Sequence, residues 1–409
     1  MEKNEHRLLG LTEETWLVFS LRTINSVGFS ATIPFLGVYL LVVRQVPLSE
    51  IGLVYLASGI LGLSSQVLGG RFTDTVGPKR IMMFSYLSSL AFSLSLGYLV
   101  FVSAPATIFF VVYPAFSLFR GVSQPATSSI IAALKTSDVR TGFSLLAIGG
   151  NLGFAIGPAI AGPLAGHYGY AAVFLLSASA STIVFFLTLF KIQGGKRYSV
   201  SRARVRRSLK WVEDKYIILF LALIFCLYLS VGYEITPLSL YAARFLSLSP
   251  DLIGYLFATN GIVIVVLQLP LTKLTERSKT LLLPLVISAC LTAASLFIAS
   301  SSRTFWQLEL TMFVITLGEI FLTVPSQTII ALFSTGGNRG TYQGYYSAAS
   351  SSGRSVASFV GPLSFSLFSS DLPVAWYLIA AFCILTGVGI AFLAPRFQKE
   401  YEKVDRAFH

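Results

Sequence analysis

A short polar stretch separates two long apolar runs early in the chain: Gly69-Gly70-Arg71-Phe72-Thr73-Asp74-Thr75-Val76-Gly77-Pro78-Lys79-Arg80. A weaker copy lies in the second half of the chain, as Thr272-Lys273-Leu274-Thr275-Glu276-Arg277-Ser278-Lys279. These are among the few places where charge is concentrated, because only 12% of the 409 residues are charged and 54% are hydrophobic. A soluble protein carries roughly 25% charged residues, so this composition predicts a membrane protein.

Apolar runs recur from one end of the chain to the other, and each is long enough to cross a hydrocarbon core of about 30 Å. The runs do not alternate in polarity as the strands of a membrane barrel would. The sequence therefore predicts an all-α, polytopic membrane protein with twelve transmembrane helices. The predicted spans are residues 15–43, 48–70, 80–103, 105–134, 141–166, 170–192, 215–246, 250–271, 280–301, 304–334, 341–368 and 373–395.

Lysine and arginine are distributed unevenly between the two sides of these spans. Three arginines fall in loops of one side, namely Arg44, Arg244 and Arg303. The other basic residues outside the spans fall in the termini and in loops of the opposite side, which the positive-inside rule predicts to be cytoplasmic. We therefore expect a multi-pass plasma-membrane protein with both termini in the cytoplasm. The net charge of +12 then reflects topology and attraction to anionic lipid, and no nucleic-acid partner is expected.

The two halves of the chain repeat each other. Six residues recur at a constant spacing of 202 positions, since Gly52, Tyr55, Gly59, Gln66, Arg71 and Asp74 correspond to Gly254, Phe257, Gly261, Gln268, Lys273 and Glu276. This repeat predicts an N-terminal six-helix bundle over 1–192, a basic cytoplasmic linker over 193–214, and a C-terminal six-helix bundle with a short tail over 215–409. Such a layout is typical of secondary transporters, which bind substrate between their halves.

With this layout, the chain resembles the major facilitator superfamily over essentially its whole length. The opening stretch is similar to the family signature between helices 2 and 3, Gly-x-x-x-Asp-x-x-Gly-x-Lys/Arg. The resemblance implies a gate at the cytoplasmic face, formed by Gly70, Arg71, Asp74, Gly77, Lys79 and Arg80. The alternative is that these residues serve only as a topology signal and a helix cap.

A glycine-rich run in the fifth predicted helix also resembles a family motif. Gly153 and Gly157 form a small-xxx-small face that allows close helix approach, and Pro158 bends the helix. The run resembles the antiporter signature Gly-x-x-x-Gly-Pro-x-x-Gly-Gly, with Ala161 in place of one glycine. This implies a gating role for Gly153, Gly157 and Pro158, and the alternative is simple tight packing.

Several ionisable residues lie at predicted membrane depth, where each costs several kcal/mol unless it is paired or hydrated. Glu234 and Glu319 are candidates for proton coupling, because burial disfavours the charged form of a carboxyl group. The alternative is a fixed salt bridge, such as Glu319 with an arginine. Arg120 resembles the helix-4 arginine of drug–proton antiporters in the same family.

Aromatic and polar residues share helix faces with the buried arginines. Together they predict a broad apolar cavity suited to lipophilic substrates. The candidate substrate-binding residues are Arg22, Asn25, Phe29, Tyr113, Phe116, Arg120, Gln124, Tyr233, Tyr241, Thr323, Tyr346 and Arg354.

The sequence contains no Gly-x-x-x-x-Gly-Lys-Ser/Thr loop for ATP and no histidine and cysteine cluster with metal-ligand spacing. We therefore expect neither an enzyme nor a bound cofactor or metal, and the expected energy source is a proton gradient. The first hypothesis is a proton-driven efflux antiporter of lipophilic small molecules, functional as a monomer in the lipid bilayer. The second is symport, uptake or exchange of a small organic anion held by the intramembrane arginines. The third hypothesis is a receptor of the same fold, and the sequence shows no appended sensory domain that would favour it.

Overall fold

The structure is a computed structural model that describes residues 7–8, 11–132, 136–192, 215–276, 280, 282–333 and 339–408. The predicted basic linker over 193–214 lies outside these described residues. Residues 277–279, which end the second polar stretch, also lie outside them.

Helices make up almost all of the described chain. The first half contains a short antiparallel pair and seven helices: β1 (Arg7–Leu8), β2 (Leu11–Thr12), α1 (Glu13–Val38), α2 (Leu48–Val76), α3 (Pro78–Phe101), α4 (Ala106–Gly121), α5 (Ser123–Ala132), α6 (Thr136–Tyr168) and α7 (Ala171–Lys191). The second half contains α8 (Lys215–Val231), α9 (Thr236–Phe245), α10 (Pro250–Glu276), α11 (Leu283–Ser301), α12 (Phe305–Phe333), α13 (Arg339–Leu367) and α14 (Leu372–Phe408).

The chain forms two compact units. The first comprises Met1–Val46, Leu53–Ser201 and Ser249–Ala258. The second comprises Pro47–Gly52, Arg202–Leu248 and Thr259–His409. The division does not fall exactly at the middle of the chain, since the first turns of α10 belong to the first unit.

Within the described residues, eleven helical segments are long and apolar enough to cross a membrane. The α13 helix is not among them, although its 29 residues would span a bilayer at 1.5 Å per residue. Serine, glycine and tyrosine lower its hydropathy, and they accompany Arg354 along the helix. The predicted all-α, multi-pass membrane fold is confirmed.

Two spans contain a local irregularity beside a functional candidate, although each remains one membrane-spanning segment as predicted: Ala106–Ile131 contains Arg120, and Ile217–Phe245 contains Glu234. The α4 helix ends at Gly121 and α5 begins at Ser123, which places Arg120 in the last turn of α4. Glu234 lies in a 3-10 turn, Gly232–Glu234, between α8 and α9. A proline follows each break: Pro125 cannot bond the Gly121 carbonyl, and Pro237 cannot bond that of Tyr233.

Two helices extend beyond their predicted ends. The α2 helix continues to Val76, so most of the opening polar stretch is helical and only Gly77 separates it from α3. Gly77 has a φ of 95°, which a residue with a Cβ rarely adopts. The α14 helix continues to Phe408, through the region that was predicted to be a short tail after residue 395.

The α1 and α6 helices pack closely along the glycine face of α6. A Cβ at Gly153 would lie 2.5 Å from the Thr23 carbonyl oxygen, and one at Gly157 would lie 2.5 Å from the Val27 carbonyl oxygen. The Ser30 hydroxyl donates a hydrogen bond across this contact to the Gly153 carbonyl, at 3.0 Å. These distances leave no room for a side chain at Gly153 or Gly157. The close contact fixes the position of α1, which carries site residues of the first unit.

Candidate functional site

Three charged side chains meet in the second unit. The Arg354 guanidinium donates to Glu319 with an Nη2–Oε1 distance of 2.6 Å. It also reaches Glu234, with an Nη1–Oε1 distance of 3.5 Å. The sequence predicted all three as functional residues from their membrane depth, and the structure brings them together. We call Arg354, Glu234 and Glu319 the charged cluster.

The two carboxylates are held very differently. Glu319 has its second oxygen 3.4 Å from the Asn260 amide nitrogen, which also donates to the Thr316 hydroxyl at 2.9 Å. The Glu234 side chain is only 5% exposed, and its Oε2 has no hydrogen-bond partner among the described residues. An ionised oxygen left without a partner in the interior is costly, and the described residues satisfy the Glu319 carboxylate better than that of Glu234.

A group of hydroxyls lies beside the charged cluster. The Tyr228 and Tyr346 hydroxyl oxygens are 2.7 Å apart, and that of Tyr346 is 2.8 Å from the Ser326 hydroxyl. Thr323 is at the edge of this group, 3.4 Å from the Tyr228 hydroxyl. Tyr346 and Thr323 were predicted from the sequence. Tyr228 and Asn260 were not predicted, because neither carries a charge and neither belongs to a motif.

A second group of predicted residues meets in the first unit. The Arg120 guanidinium carbon lies 3.5 Å from the centroid of the Phe29 ring, which is a cation–π arrangement. Phe29 in turn contacts Phe116, and Phe116 contacts Tyr113, with ring centroids 6.2 and 6.0 Å apart. Tyr55, which the sequence did not single out as a site residue, extends the group through an edge contact with Tyr113.

Arg120 and Arg22 are the basic members of this first-unit site. Arg120 is buried, and its Nε has no hydrogen-bond partner in the described part of the chain. A Cβ at Gly150 would lie 3.1 Å from the Arg22 Nε, so α6 leaves room for that side chain. Neither arginine forms an ion pair with any described residue. This site therefore carries positive charge that the described residues do not neutralise.

Two predicted substrate residues belong to a different group. Tyr233 and Tyr241 both pack edge-on against Trp376, with centroids 5.8 and 5.3 Å away, and Tyr241 also contacts Phe365. Tyr233 borders a largely apolar cavity of about 380 Å³, lined by Leu229, Tyr233, Val360, Leu363, Ser364, Leu367, Phe368, Ala375, Leu378, Ile379 and Phe382. The structure does not place these two tyrosines in the charged cluster. Asn25 and Gln124 lie on α1 and α5, and their substrate role stays a prediction.

The opening polar stretch contacts the end of α7 through Lys79. The Lys79 ammonium donates to the carbonyl oxygen of Leu189 at 2.8 Å, near the C-terminal end of α7. A cation at this end satisfies a free carbonyl and opposes the negative end of the helix dipole. Arg71, Asp74 and Arg80 are exposed. Their gating role, like that of Gly70, stays a prediction.

The Lys79 contact leads to a prediction about stability. We expect Lys79→Met to lower the free energy of unfolding by about 1 kcal/mol, because the Leu189 carbonyl loses its charged donor. The midpoint of thermal unfolding in detergent measures this change. Arg80→Met is the matched control at the next position, where the side chain is exposed. Equal midpoints for the two variants would show that the Lys79 contact does not stabilise α7.

Comparison with known proteins gives relatives over nearly the whole chain. The uncharacterized MFS-type transporter YqjV of Bacillus subtilis is 25% identical over 394 residues, which cover 93% of this chain and 92% of that protein. The multidrug resistance protein MdtG of Salmonella paratyphi C is 26% identical over 391 residues, covering 91% of each.

Solved structures agree with the observed fold. A crystal structure of the peptide transporter POT superposes with a TM-score of 0.79 at 15% identity, covering 97% of both chains. The nucleoside transporter NupG gives a TM-score of 0.73 at 14% identity, covering 93% of this chain and 100% of that one. The family model described as Major Facilitator Superfamily matches residues 18–358 and 220–407. The spanning helices, the relatives and this match together show that the chain is a membrane transporter belonging to the major facilitator superfamily.

Proposed function

We propose that this transporter is a proton-coupled efflux antiporter of lipophilic small molecules that works by alternating access. The observation that carries the proposal is the charged cluster, in which two carboxyl groups share one guanidinium and one carboxylate oxygen of Glu234 has no partner in the described part of the chain. The similarity to the multidrug resistance protein MdtG supports lipophilic, drug-like substrates.

The charge balance of the cluster supports proton exchange. Arg354 with two ionised carboxylates has a net charge of −1, and one bound proton makes the cluster neutral. Neutrality is favoured in a poorly hydrated interior, since an uncompensated buried charge is costly. Glu319 has the shorter contact with Arg354 and also contacts Asn260. We therefore assign the exchangeable proton to Glu234, and we assign to Glu319 the role of a permanent ion-pair partner for Arg354.

The first-unit site supports binding of a lipophilic substrate. Phe29, Phe116 and Tyr113 offer aromatic surface, and Arg120 stacked on Phe29 gives that surface a charged end. A few polar groups in an apolar, aromatic lining are typical of small-molecule sites.

The remaining elements of the proposal concern gating and placement. The stretch around Asp74 opens and closes the cytoplasmic face, and Gly153, Gly157 and Pro158 allow the α1–α6 contact to adjust during that movement. The protein acts as a monomer in the plasma membrane with both termini in the cytoplasm. No bound cofactor takes part.

Transport in proteoliposomes tests this function. Purified protein is reconstituted, a pH gradient is imposed, and movement of a fluorescent lipophilic compound against its concentration gradient is followed. We expect accumulation that depends on the pH gradient and collapses when a protonophore is added. Transport of lipophilic compounds that is indifferent to the gradient would overturn proton coupling.

A second candidate function is supported by one specific observation. Arg22 and Arg120 form no ion pair with the described residues, and an anionic substrate would supply the missing negative charge. The protein would then carry a small organic anion. Binding of a small carboxylate, compared with a lipophilic cation, by the same purified protein separates the two candidates.

A further inference from the structure

Tyr228 lies next to the charged cluster and contacts its arginine. It lies on α8, and its ring faces the Arg354 guanidinium, whose central carbon is 5.0 Å from the ring centroid. The side chain is buried, with the residue only 3% exposed. Arg354 is therefore bordered by two carboxylates and by the electron-rich face of one aromatic ring.

The Tyr228 ring is fixed by a chain of hydroxyls from two other helices. The Ser326 hydroxyl donates to the Leu322 carbonyl at 2.6 Å, so its oxygen can accept from the Tyr346 hydroxyl at 2.8 Å. The Tyr346 oxygen can then accept from the Tyr228 hydroxyl at 2.7 Å. The chain thus has a consistent donor direction that ends on a backbone carbonyl of α12. Tyr228, Tyr346 and Ser326 are all buried.

We propose that Tyr228 is a positioning residue that keeps the Arg354 guanidinium between Glu234 and Glu319 throughout the transport cycle. The inference rests on the proposed proton coupling at this cluster. When Glu234 takes up a proton, Arg354 loses one of its two counter-charges and is free to turn toward Glu319 alone. The ring face of Tyr228 does not change with protonation, so it holds the guanidinium within reach of Glu234 for the next deprotonation.

The electrostatic environment of Arg354 is set by a few neighbouring groups. Among the described residues, the charged and titratable groups near Arg354 are Glu319 from α12, Glu234 from the 3-10 turn, Tyr228 from α8 and Tyr346 from α13. Tyr346 lies on α13 itself, and its hydroxyl contacts that of Tyr228. A change at Tyr228 that spares both carboxylates therefore tests the positioning role without removing an acid.

The test is the pH profile of substrate transport in proteoliposomes. Tyr228→Leu removes the ring, which frees Arg354 to move away and leaves Glu234 less stabilised as an anion. We expect the midpoint of the profile to rise by about one pH unit, which corresponds to the loss of one buried cation–π contact. Tyr228→Phe keeps the ring and should shift the midpoint less than half as far. Tyr255→Leu is the matched control, because Tyr255 lies on α10 and is 50% exposed.

A second variant keeps the test decisive if Tyr228→Leu does not fold. The double variant Tyr228→Phe with Tyr346→Phe keeps both rings and removes the hydroxyl chain. We expect its midpoint to rise more than that of Tyr228→Phe and less than that of Tyr228→Leu. If wild-type transport depends on pH, an unchanged midpoint in a folded Tyr228→Leu protein or in the folded double variant would overturn the positioning role and leave the proposed function standing. A wild type whose transport does not depend on pH would overturn the proposed function itself.

Discussion

Glu234→Gln is expected to abolish transport driven by a pH gradient while substrate exchange across the membrane continues. The amide has the shape of the protonated acid but cannot release a proton, so the cluster stays neutral through the cycle. Because Glu234 Oε2 has no partner among the described residues, the change disturbs little packing. We expect gradient-driven transport to fall at least about tenfold, an effect of about 1.4 kcal/mol or more.

Two other substitutions make this result specific. Glu319→Gln removes the carboxylate that lies 2.6 Å from Arg354, so it should lower stability as well as transport. Glu309→Gln is the matched control, since Glu309 is a half-buried acid near the start of the same helix, α12, away from the cluster. The assignment of the proton to Glu234 is wrong if Glu234→Gln still accumulates substrate in response to the pH gradient.

Arg120→Met is expected to lower transport at least about tenfold without lowering thermal stability. The substitution removes a buried charge that has no ion-pair partner in the described chain and replaces it with an unbranched apolar side chain. Even replacement of a whole buried ion pair by apolar residues is often neutral or stabilising by about 1–4 kcal/mol, and Arg120 has no ion pair with the described residues to lose. Substrate binding and the midpoint of thermal unfolding, measured on the same preparation, check both parts.

Arg354→Met is the matched contrast in the other unit. That arginine neutralises Glu234 and Glu319, so its loss leaves buried carboxylates unpaired and should cost about 3–5 kcal/mol of stability. Opposite changes in thermal midpoint for Arg120→Met and Arg354→Met would identify Arg120 as a residue retained for substrate. A destabilised Arg120→Met protein with normal binding would contradict this and assign Arg120 a structural role.

The fold was predictable because its signals are long-range and repeated. Runs of apolar residues, the copy at 202 positions and the motif on Gly70, Asp74, Gly77 and Lys79 all point to the same all-α membrane fold. The charged cluster was partly predictable too, because charged residues are rare at membrane depth. The sequence suggested a salt bridge between Glu319 and an arginine as one alternative, and the structure identifies Arg354 as the partner.

The local geometry was harder to predict. Hydropathy gives no signal for the irregular turns before Ser123 and at Glu234. Only a proline marks each of them, since Pro125 and Pro237 each lie four residues after a carbonyl that they cannot bond. Tyr228 and Asn260 carry no charge and belong to no motif, so only their contacts with Arg354 and Glu319 reveal them. Lys79 belongs to the predicted gate, yet its visible contact is with the end of α7.

The most direct test of the central claim measures proton and substrate movement together in the same proteoliposomes. A pH-sensitive dye trapped inside reports protons, and a lipophilic fluorescent substrate reports transport, for the wild type and for Glu234→Gln. We predict that substrate movement in the wild type is accompanied by proton movement in the opposite direction, and that Glu234→Gln moves substrate down its own gradient without protons. Equal proton movement in the wild type and in Glu234→Gln would contradict the claim.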